Sequence, residues 1–109
     1  MLILFTMEKI DKVLKYLEEF GKYNHVFNIP REAGEFLGVW VKEVKPNRIL
    51  EIGTSNGYST IWLARNGNDV VSVEKDKKKI DLAEANFEAC GLDNIKIVDG
   101  DALKVLENL

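Results

Sequence analysis

A strand, a glycine-containing loop and a helix follow one another in residues 49–65, and this segment constrains the fold more than any other. A strand with the apolar residues Ile49, Leu50 and Ile52 leads into Gly53-Thr-Ser-Asn-Gly57, and residues 58–65 have a helical composition. Glycine permits a positive φ and has no Cβ to hold a ligand away. The helix start offers N–H groups to an anion. This order is typical of α/β domains that bind nucleotide-like ligands.

The spacing of the glycines distinguishes between nucleotide ligands. Dinucleotide-binding enzymes carry Gly-x-Gly-x-x-Gly, in which the third glycine lets the helix pack closely on the strand. Here Ser55 occupies the middle position, and Tyr58 follows Gly57 without a later glycine. The spacing therefore disfavours NAD, although a fragment of an NAD-linked oxidoreductase stays as an alternative.

Carboxylates follow the next two predicted strands. Glu74 follows the valine-rich segment 70–73, and Asp101 follows Gly100 just after residues 95–98. A carboxylate at the end of the second strand can accept hydrogen bonds from both hydroxyls of a ribose. For Asp101 an alternative role is the N-cap of a helix that begins at Ala102.

These features together resemble a known family. The string Leu-Glu-Ile-Gly-Thr-Ser-Asn-Gly-Tyr-Ser-Thr at residues 50–60, Glu74, and Asp-Gly-Asp-Ala at residues 99–102 are similar to class I S-adenosylmethionine-dependent methyltransferases. The string at residues 50–60 is similar to that of the small-molecule O-methyltransferases of the catechol and caffeoyl-CoA type. The resemblance implies S-adenosylmethionine as the cofactor and O-methylation of a small-molecule acceptor. A divalent metal is compatible with the full-length family, but no metal ligands are identified in this chain.

For the methionine part of the cofactor, the resemblance indicates the first loop. Gly53 and Gly57 would let the backbone approach, and Ser55 would contribute through its backbone. Ser59 would bond the methionine carboxylate, or act only as a helix cap. Glu51 would order the N–H groups of the loop near the cofactor's charged groups, or serve a purely structural role, since a buried carboxylate needs partners.

For the adenosine part, the resemblance indicates the ends of the second and third strands. Glu74 would accept the ribose hydroxyls, and Asp101 would accept the amino group of adenine. The backbone N–H of Ala102 would meet a ring nitrogen. The predicted cofactor-binding set is therefore Glu51, Gly53, Ser55, Gly57, Ser59, Glu74, Asp101 and Ala102.

Composition restricts the class of protein. A net charge of -3 argues against a general nucleic-acid binder. No segment approaches the ~20 apolar residues that cross a bilayer. The single cysteine, Cys90, fits a reducing compartment and has no basic neighbour in sequence to activate it as a catalytic thiol. We expect a cytoplasmic protein with neither a membrane nor a nucleic-acid partner.

Hydrophobic periodicity places the remaining elements. Gly21 is expected to end the first helix, and Phe36, Trp40 and Val44 are expected to lie on the buried stripe of the second, with Leu37 and Val41. The prediction gives strands at residues 48–52, 70–73 and 95–98, and helices at residues 9–20, 30–44, 58–65, 77–90 and 102–109.

Alternating strands and helices predict an α/β fold with parallel strands. We expect one domain over residues 1–109, with a helical segment at 1–45 and a βαβαβ core at 46–109. The resemblance implies a Rossmann-like methyltransferase half-domain whose three strands have the order 3-2-1.

The resemblance covers the first half of a seven-stranded domain. The catalytic residues are therefore unknown, because the acceptor site and any metal ligands would follow the fourth strand. The first strand would have an open edge, which favours association with another chain. We expect a homo-oligomer formed through this edge. The alternative function is a non-catalytic module, for cofactor binding or interaction, that assembles with itself.

Overall fold

The computed structural model describes residues 2–24 and 28–108, which form an α/β structure with a three-stranded sheet. Two helices precede the first strand, and the later strands and helices alternate. The elements are α1 (Leu2–Asn24), α2 (Arg31–Val44), β1 (Arg48–Ile52), α3 (Tyr58–Ala64), β2 (Asp69–Glu74), α4 (Lys77–Cys90), β3 (Ile95–Asp99) and α5 (Ala102–Glu107).

The sheet is parallel and has β2 at its centre. Leu50 pairs with Val71, and Val71 pairs with Lys96, which fixes the order β1-β2-β3. Read from the other edge, this is the predicted order 3-2-1, so the predicted topology is confirmed. Within the described part of the chain, one edge of β1 has no neighbouring strand.

The largest core cluster joins α1, α3 and α4. Apolar side chains from these helices pack together, and Phe87 and Ala83 of α4 face inward. Cys90 is fully buried there, and this burial raises the pKa of its thiol to about 11 against the opposing effect of Arg65. The thiol is therefore protonated at neutral pH, which fits the expectation that it is not catalytic.

Helix α1 is longer than predicted. Gly21 lies inside the helix and is buried, so the expectation that it ends the helix is wrong. Its position continues the buried stripe of Ile10, Leu14 and Leu17, and tertiary packing overrides the weak helix propensity of glycine. Although α1 has 23 residues, no helix in the described ranges is long and apolar enough to cross a membrane.

Helix α2 presents a different face to the core than predicted. Phe36, Trp40 and Val44 are 66%, 53% and 53% exposed, so their expected burial is wrong. The buried face carries Gly34 and Gly38 instead, together with Val41. Periodicity alone missed this face because two of its members have no side chain to count as apolar.

The glycines of α2 make room for Trp62 of α3. A Cβ on Gly34 would lie 2.4 Å from the indole Nε1 atom. The indole is buried, and two guanidinium groups lie close to its ring, Arg31 at 5.4 Å and Arg65 at 4.8 Å from the ring centroid. Trp62 is therefore part of the core.

We predict opposite effects of alanine at the two glycines of α2. Either change favours the helix by up to about 1 kcal/mol. At Gly38 a Cβ would lie 3.5 Å from Trp62, an ordinary contact, so Gly38→Ala should be neutral or stabilising. Gly34→Ala should lower the free energy of unfolding by about 1–3 kcal/mol through overpacking. Urea denaturation followed by circular dichroism measures both; equal stability of the two variants would contradict the packing described.

Candidate functional site

A cleft of about 350 Å³ opens at the carboxyl ends of the three strands. This is the position at which open α/β sheets bind ligands. Of the eight residues predicted to bind the cofactor, the structure places Gly53, Glu74, Asp101 and Ala102 in the lining of this cleft. The remaining lining residues are Ile52, Val73, Lys75, Gly100 and Leu103.

Gly53 presents an open backbone to the cleft. Its φ is 88°, and no atom lies within 4 Å of the position that a Cβ would take. Its N–H donates to the Val73 carbonyl at 2.8 Å, so β2 fixes the start of the loop. No neighbouring group in the described protein therefore needs the space that a side chain at Gly53 would fill, and this space is open to a ligand.

Glu74 holds the loop after β1 and the turn after β2. Its Oε1 accepts from the Ser55 N–H at 2.9 Å, and its Oε2 accepts from the Lys75 and Asp76 N–H groups, each at 3.1 Å. Burial raises the pKa of the carboxyl, but these backbone donors and the Lys79 ammonium outweigh it, and the pKa lies below its usual value. Glu74 is therefore an ionised acceptor at neutral pH.

These contacts limit what Glu74 can offer a ligand. A carboxylate oxygen has two lone pairs. Oε2 uses both on backbone donors, while Oε1 uses one on Ser55. One further hydrogen bond can be accepted without rearrangement, and the predicted contact with two ribose hydroxyls requires Glu74 to release a backbone donor.

Asp101 caps helix α5 and also borders the cleft. Its Oδ1 accepts from the Leu103 N–H at 2.8 Å, so the alternative reading as an N-cap is correct. Capping uses one of the two carboxylate oxygens, which leaves the other for a donor on a ligand. Ala102 begins the helix beside it.

The lining combines acceptors with apolar walls. Glu74 and Asp101 supply carboxylates, while Ile52, Val73 and Leu103 supply apolar surface, and Lys75 contributes a cationic side chain. Such a surface suits a ligand that has hydrogen-bond donors and a flat apolar ring. Across residues 2–24 and 28–108, no three His, Cys, Asp or Glu side chains are grouped as a metal site.

Gly57 does not line the cleft. Its N–H donates to the Thr54 carbonyl at 2.9 Å, and a Cβ would lie 2.6 Å from the Phe87 ring. With a φ of 92°, the position needs glycine for its backbone conformation and for packing against α4. The internal contacts of Gly57 thus account for this glycine without a ligand.

Glu51 accepts hydrogen bonds from three hydroxyl groups, two on α3 and one on β2. It accepts from Ser59 at 2.7 Å, from Ser72 at 2.7 Å, and from Thr60. The single hydroxyl hydrogen of Ser72 is used in the hydrogen bond to Glu51. The Thr54 hydroxyl, which lies 2.6 Å from that of Ser72, must therefore be the donor to Ser72. The expectation that Glu51 orders the N–H groups of the loop is wrong, because its partners are side-chain hydroxyls.

Ser59 does not cap helix α3, which was the alternative role expected for it. Gly57 is the N-cap of α3 and makes no side-chain cap, while the Ser59 hydroxyl donates to Glu51. The N–H of Tyr58 is instead satisfied by the side chain of Asn56 at 3.0 Å. Asn56, the residue before Gly57, therefore supplies the side-chain acceptor at the start of the helix.

Sequence reasoning missed a set of asparagines that holds this loop. Asn56 donates to Asn28 at 3.0 Å, and its carbonyl accepts from Asn86 of α4 at 2.8 Å. Asn28 in turn donates to the Leu17 carbonyl of α1 at 3.1 Å. An asparagine two residues before a helix is a signal for a local side-chain cap, which would have identified Asn56.

A family model described as O-methyltransferase matches residues 6–109. A catechol O-methyltransferase of Mycobacterium tuberculosis is 36% identical over 85 residues, which are 74% of this chain and 39% of the relative. The chain therefore spans well under half the length of that relative.

Crystal structures of relatives share the fold. An O-methyltransferase from Bacillus cereus in complex with SAH superposes with a TM-score of 0.78 and 34% identity, over 89% of this chain and 47% of that one. The O-methyltransferase TomG from Streptomyces achromogenes, in complex with SAM, gives a TM-score of 0.76 and 28% identity, over 94% and 47%.

The lowered pKa of Glu74 predicts a pH-dependent contribution to stability. A carboxyl whose pKa in the folded state lies below its usual 4.5 stabilises the fold above that pH, and this effect is lost as the pH falls through the folded pKa. The destabilisation caused by Glu74→Ala should therefore be largest near pH 7 and shrink towards pH 3. Urea denaturation at several pH values measures it, with Asp99→Ala on the neighbouring strand end as the control. A pH-independent difference would contradict this role.

Proposed function

The chain belongs to the O-methyltransferase family, and on that premise we propose that it binds S-adenosylmethionine for methyl transfer to an oxygen atom of a small molecule. The observation that carries the proposal is the meeting of Gly53, Glu74 and Asp101 around one cleft at the carboxyl ends of the strands. Because the chain spans about half the length of its relatives, no acceptor-binding residue is assigned.

The cleft fits the adenosine part of this cofactor. Glu74 would accept from the ribose, the free oxygen of Asp101 would accept the adenine amino group, and Ala102 would border the ring. The open backbone at Gly53 leaves room that a Cβ would fill. S-adenosylmethionine, when bound, supplies an electrophilic methyl group, and the part of these residues is to hold and orient it and to exclude water.

We also propose a cytoplasmic location. The single cysteine is buried and cannot pair within the chain, which fits a reducing compartment. The net charge of -3 supports a small-molecule acceptor over nucleic acid.

Binding selectivity tests the proposal. We expect titration calorimetry to show that S-adenosylhomocysteine and S-adenosylmethionine bind more tightly than NAD. Glu74→Ala should weaken binding by about 1–3 kcal/mol, the scale for loss of a hydrogen bond to a charged group.

Asp99→Ala is the matched control for this experiment. Asp99 pairs with Glu74 across β2 and β3 and does not line the cleft, so its loss changes the net charge equally without removing an acceptor. Tighter binding of NAD, or equal affinities of the two variants, would contradict the proposed site. Circular dichroism must show that both variants are folded.

A second candidate function is a module that associates with another copy of itself. The specific observation is the apolar surface along β1, whose Leu50 and Ile52 are 44% and 49% exposed beside the unpaired edge. Pairing of this edge with a second copy would satisfy its backbone groups and bury apolar surface at ~25 cal/mol per Å². A two-fold dimer is the simplest closed form.

The associated state can be tested by one substitution. At micromolar concentration we expect light scattering to give the mass of a dimer, and Leu50→Lys should shift it towards the monomer, because a charge on an edge strand opposes pairing. Leu82→Lys is the control, since Leu82 is equally exposed, at 43%, but lies on α4. A monomeric wild-type protein would refute association through β1.

A further inference from the structure

Two Asn-Gly dipeptides occur in the chain, at residues 56–57 and 66–67, and the fold places them in opposite surroundings. Asparagine is a thermally labile residue, and a following glycine increases this lability because no Cβ shields the next backbone nitrogen. We propose that Asn66 is a modification site, at which attack by the Gly67 nitrogen deamidates the side chain, and that the fold protects Asn56 from the same reaction. The inference does not depend on cofactor binding.

The reaction at Asn66 needs only water. The backbone nitrogen of Gly67 loses its proton to solvent hydroxide and forms a bond to Cγ, the side-chain carbonyl carbon of Asn66. The bond from Cγ to Nδ2 breaks, and this nitrogen takes up a proton from water and leaves as ammonia, so that a five-membered succinimide ring remains. Water then opens the ring at either carbonyl. The products are aspartate and isoaspartate, in which the chain continues through the side chain.

The dipeptide at residues 66–67 is open to solvent. Asn66 and Gly67 both lie exposed in the turn between α3 and β2. The Asn66 side chain donates to the Gly38 carbonyl at 3.3 Å, which is longer than a usual hydrogen bond. No described atom lies within 4 Å of the position that a Cβ on Gly67 would take. Water and the moving side chain therefore both have access to the Gly67 nitrogen.

The dipeptide at residues 56–57 is enclosed. Asn56 is 3% exposed. Its amide oxygen accepts from the Tyr58 N–H at 3.0 Å, and its amide nitrogen donates to Asn28 at 3.0 Å. A Cβ on Gly57 would lie 2.6 Å from the Phe87 ring, so protein fills the space that is empty at the other glycine. The side chain cannot turn towards the Gly57 nitrogen without losing hydrogen bonds inside a packed region.

The backbone contacts of the two glycines are alike and do not distinguish the sites. Gly57 donates its N–H to the Thr54 carbonyl at 2.9 Å, and Gly67 donates its N–H to the Ala64 carbonyl at 3.0 Å. Their φ angles are 92° and 96°. The difference lies in the exposure and anchoring of the asparagine, so reaction at Asn56 has to wait for local opening of the fold.

Deamidation changes the surface between α2 and α3. Asn66 borders a cleft there whose charged lining consists of Lys42, Arg65 and Glu35. A carboxylate only accepts hydrogen bonds, so the contact with the Gly38 carbonyl is lost. The two cations outnumber the carboxylate in this lining and attract the new charge. We therefore expect the aspartate form to stay folded, with a net charge more negative by one, and to separate by ion exchange.

Peptide mapping by mass spectrometry tests the inference, with Asn56 as the internal control. The folded protein is incubated at mildly alkaline pH in water enriched in heavy oxygen, which marks only deamidation that occurs during the incubation. Asn66 should react at least about tenfold faster than Asn56, because the fold shields the latter. In concentrated urea the two rates should come within about threefold of each other, since the fold is lost.

Two outcomes would overturn the inference. One is an equal rate at the two asparagines in the folded protein. The other is protection of Asn66 by folding, relative to urea, as strong as that of Asn56.

Substitutions identify the reacting groups. Asn66→Gln keeps an amide but requires a six-membered ring, so it should remove most of the charge change seen by ion exchange, and Asn66→Asp gives the reference position of the product. In urea, where the strain of alanine at a φ of 96° has no effect, Gly67→Ala should slow reaction at Asn66 by about tenfold and leave Asn56 unchanged. An undiminished charge change in Asn66→Gln, or an unchanged rate in Gly67→Ala, would contradict the proposed reaction.

Discussion

The rest of the site depends on the hydrogen bonds that the carboxylate of Glu51 accepts. It lies on β1 and accepts hydrogen bonds from a hydroxyl group of β2 and from those of two successive residues of α3. A half-buried charge of this kind is tolerated because its hydrogen bonds replace those of water. By joining two strands and a helix, it fixes the ends of the loop at residues 53–57, and the position of the loop determines where the cleft opens.

Much of the fold could be predicted from the sequence, because the hydrophobic pattern and the turn-forming residues determine secondary structure locally. The strands follow from apolar runs and turn residues, and the structure reproduces them with ends that differ by at most one residue. The failures at Gly21 and along α2 have one cause. Both involve buried glycines, and whether a glycine is buried is decided by tertiary packing and not by the local apolar pattern.

The candidate site also has a part that could be predicted from the sequence and a part that could not. Carboxylates at strand ends were predictable because parallel strands bring their carboxyl ends to one edge of a sheet, and Glu74 and Asp101 do border one cleft. The partners of Glu51 and the asparagines around Asn56 were not, because each contact joins residues far apart in the chain. Sequence spacing predicts where a group lies better than what it binds.

The contact between Ser55 and Glu74 couples the shape of the loop to the chemistry of the cleft. Ser55 has a φ of 51°, a conformation that costs a residue with a side chain roughly 1–2 kcal/mol, and its N–H is held by Glu74 Oε1. A ligand that draws this oxygen away removes part of what maintains the strained backbone. Occupancy of the cleft and the conformational equilibrium of the loop are therefore thermodynamically linked. A ligand that binds in the cleft changes the population of the loop conformation seen here.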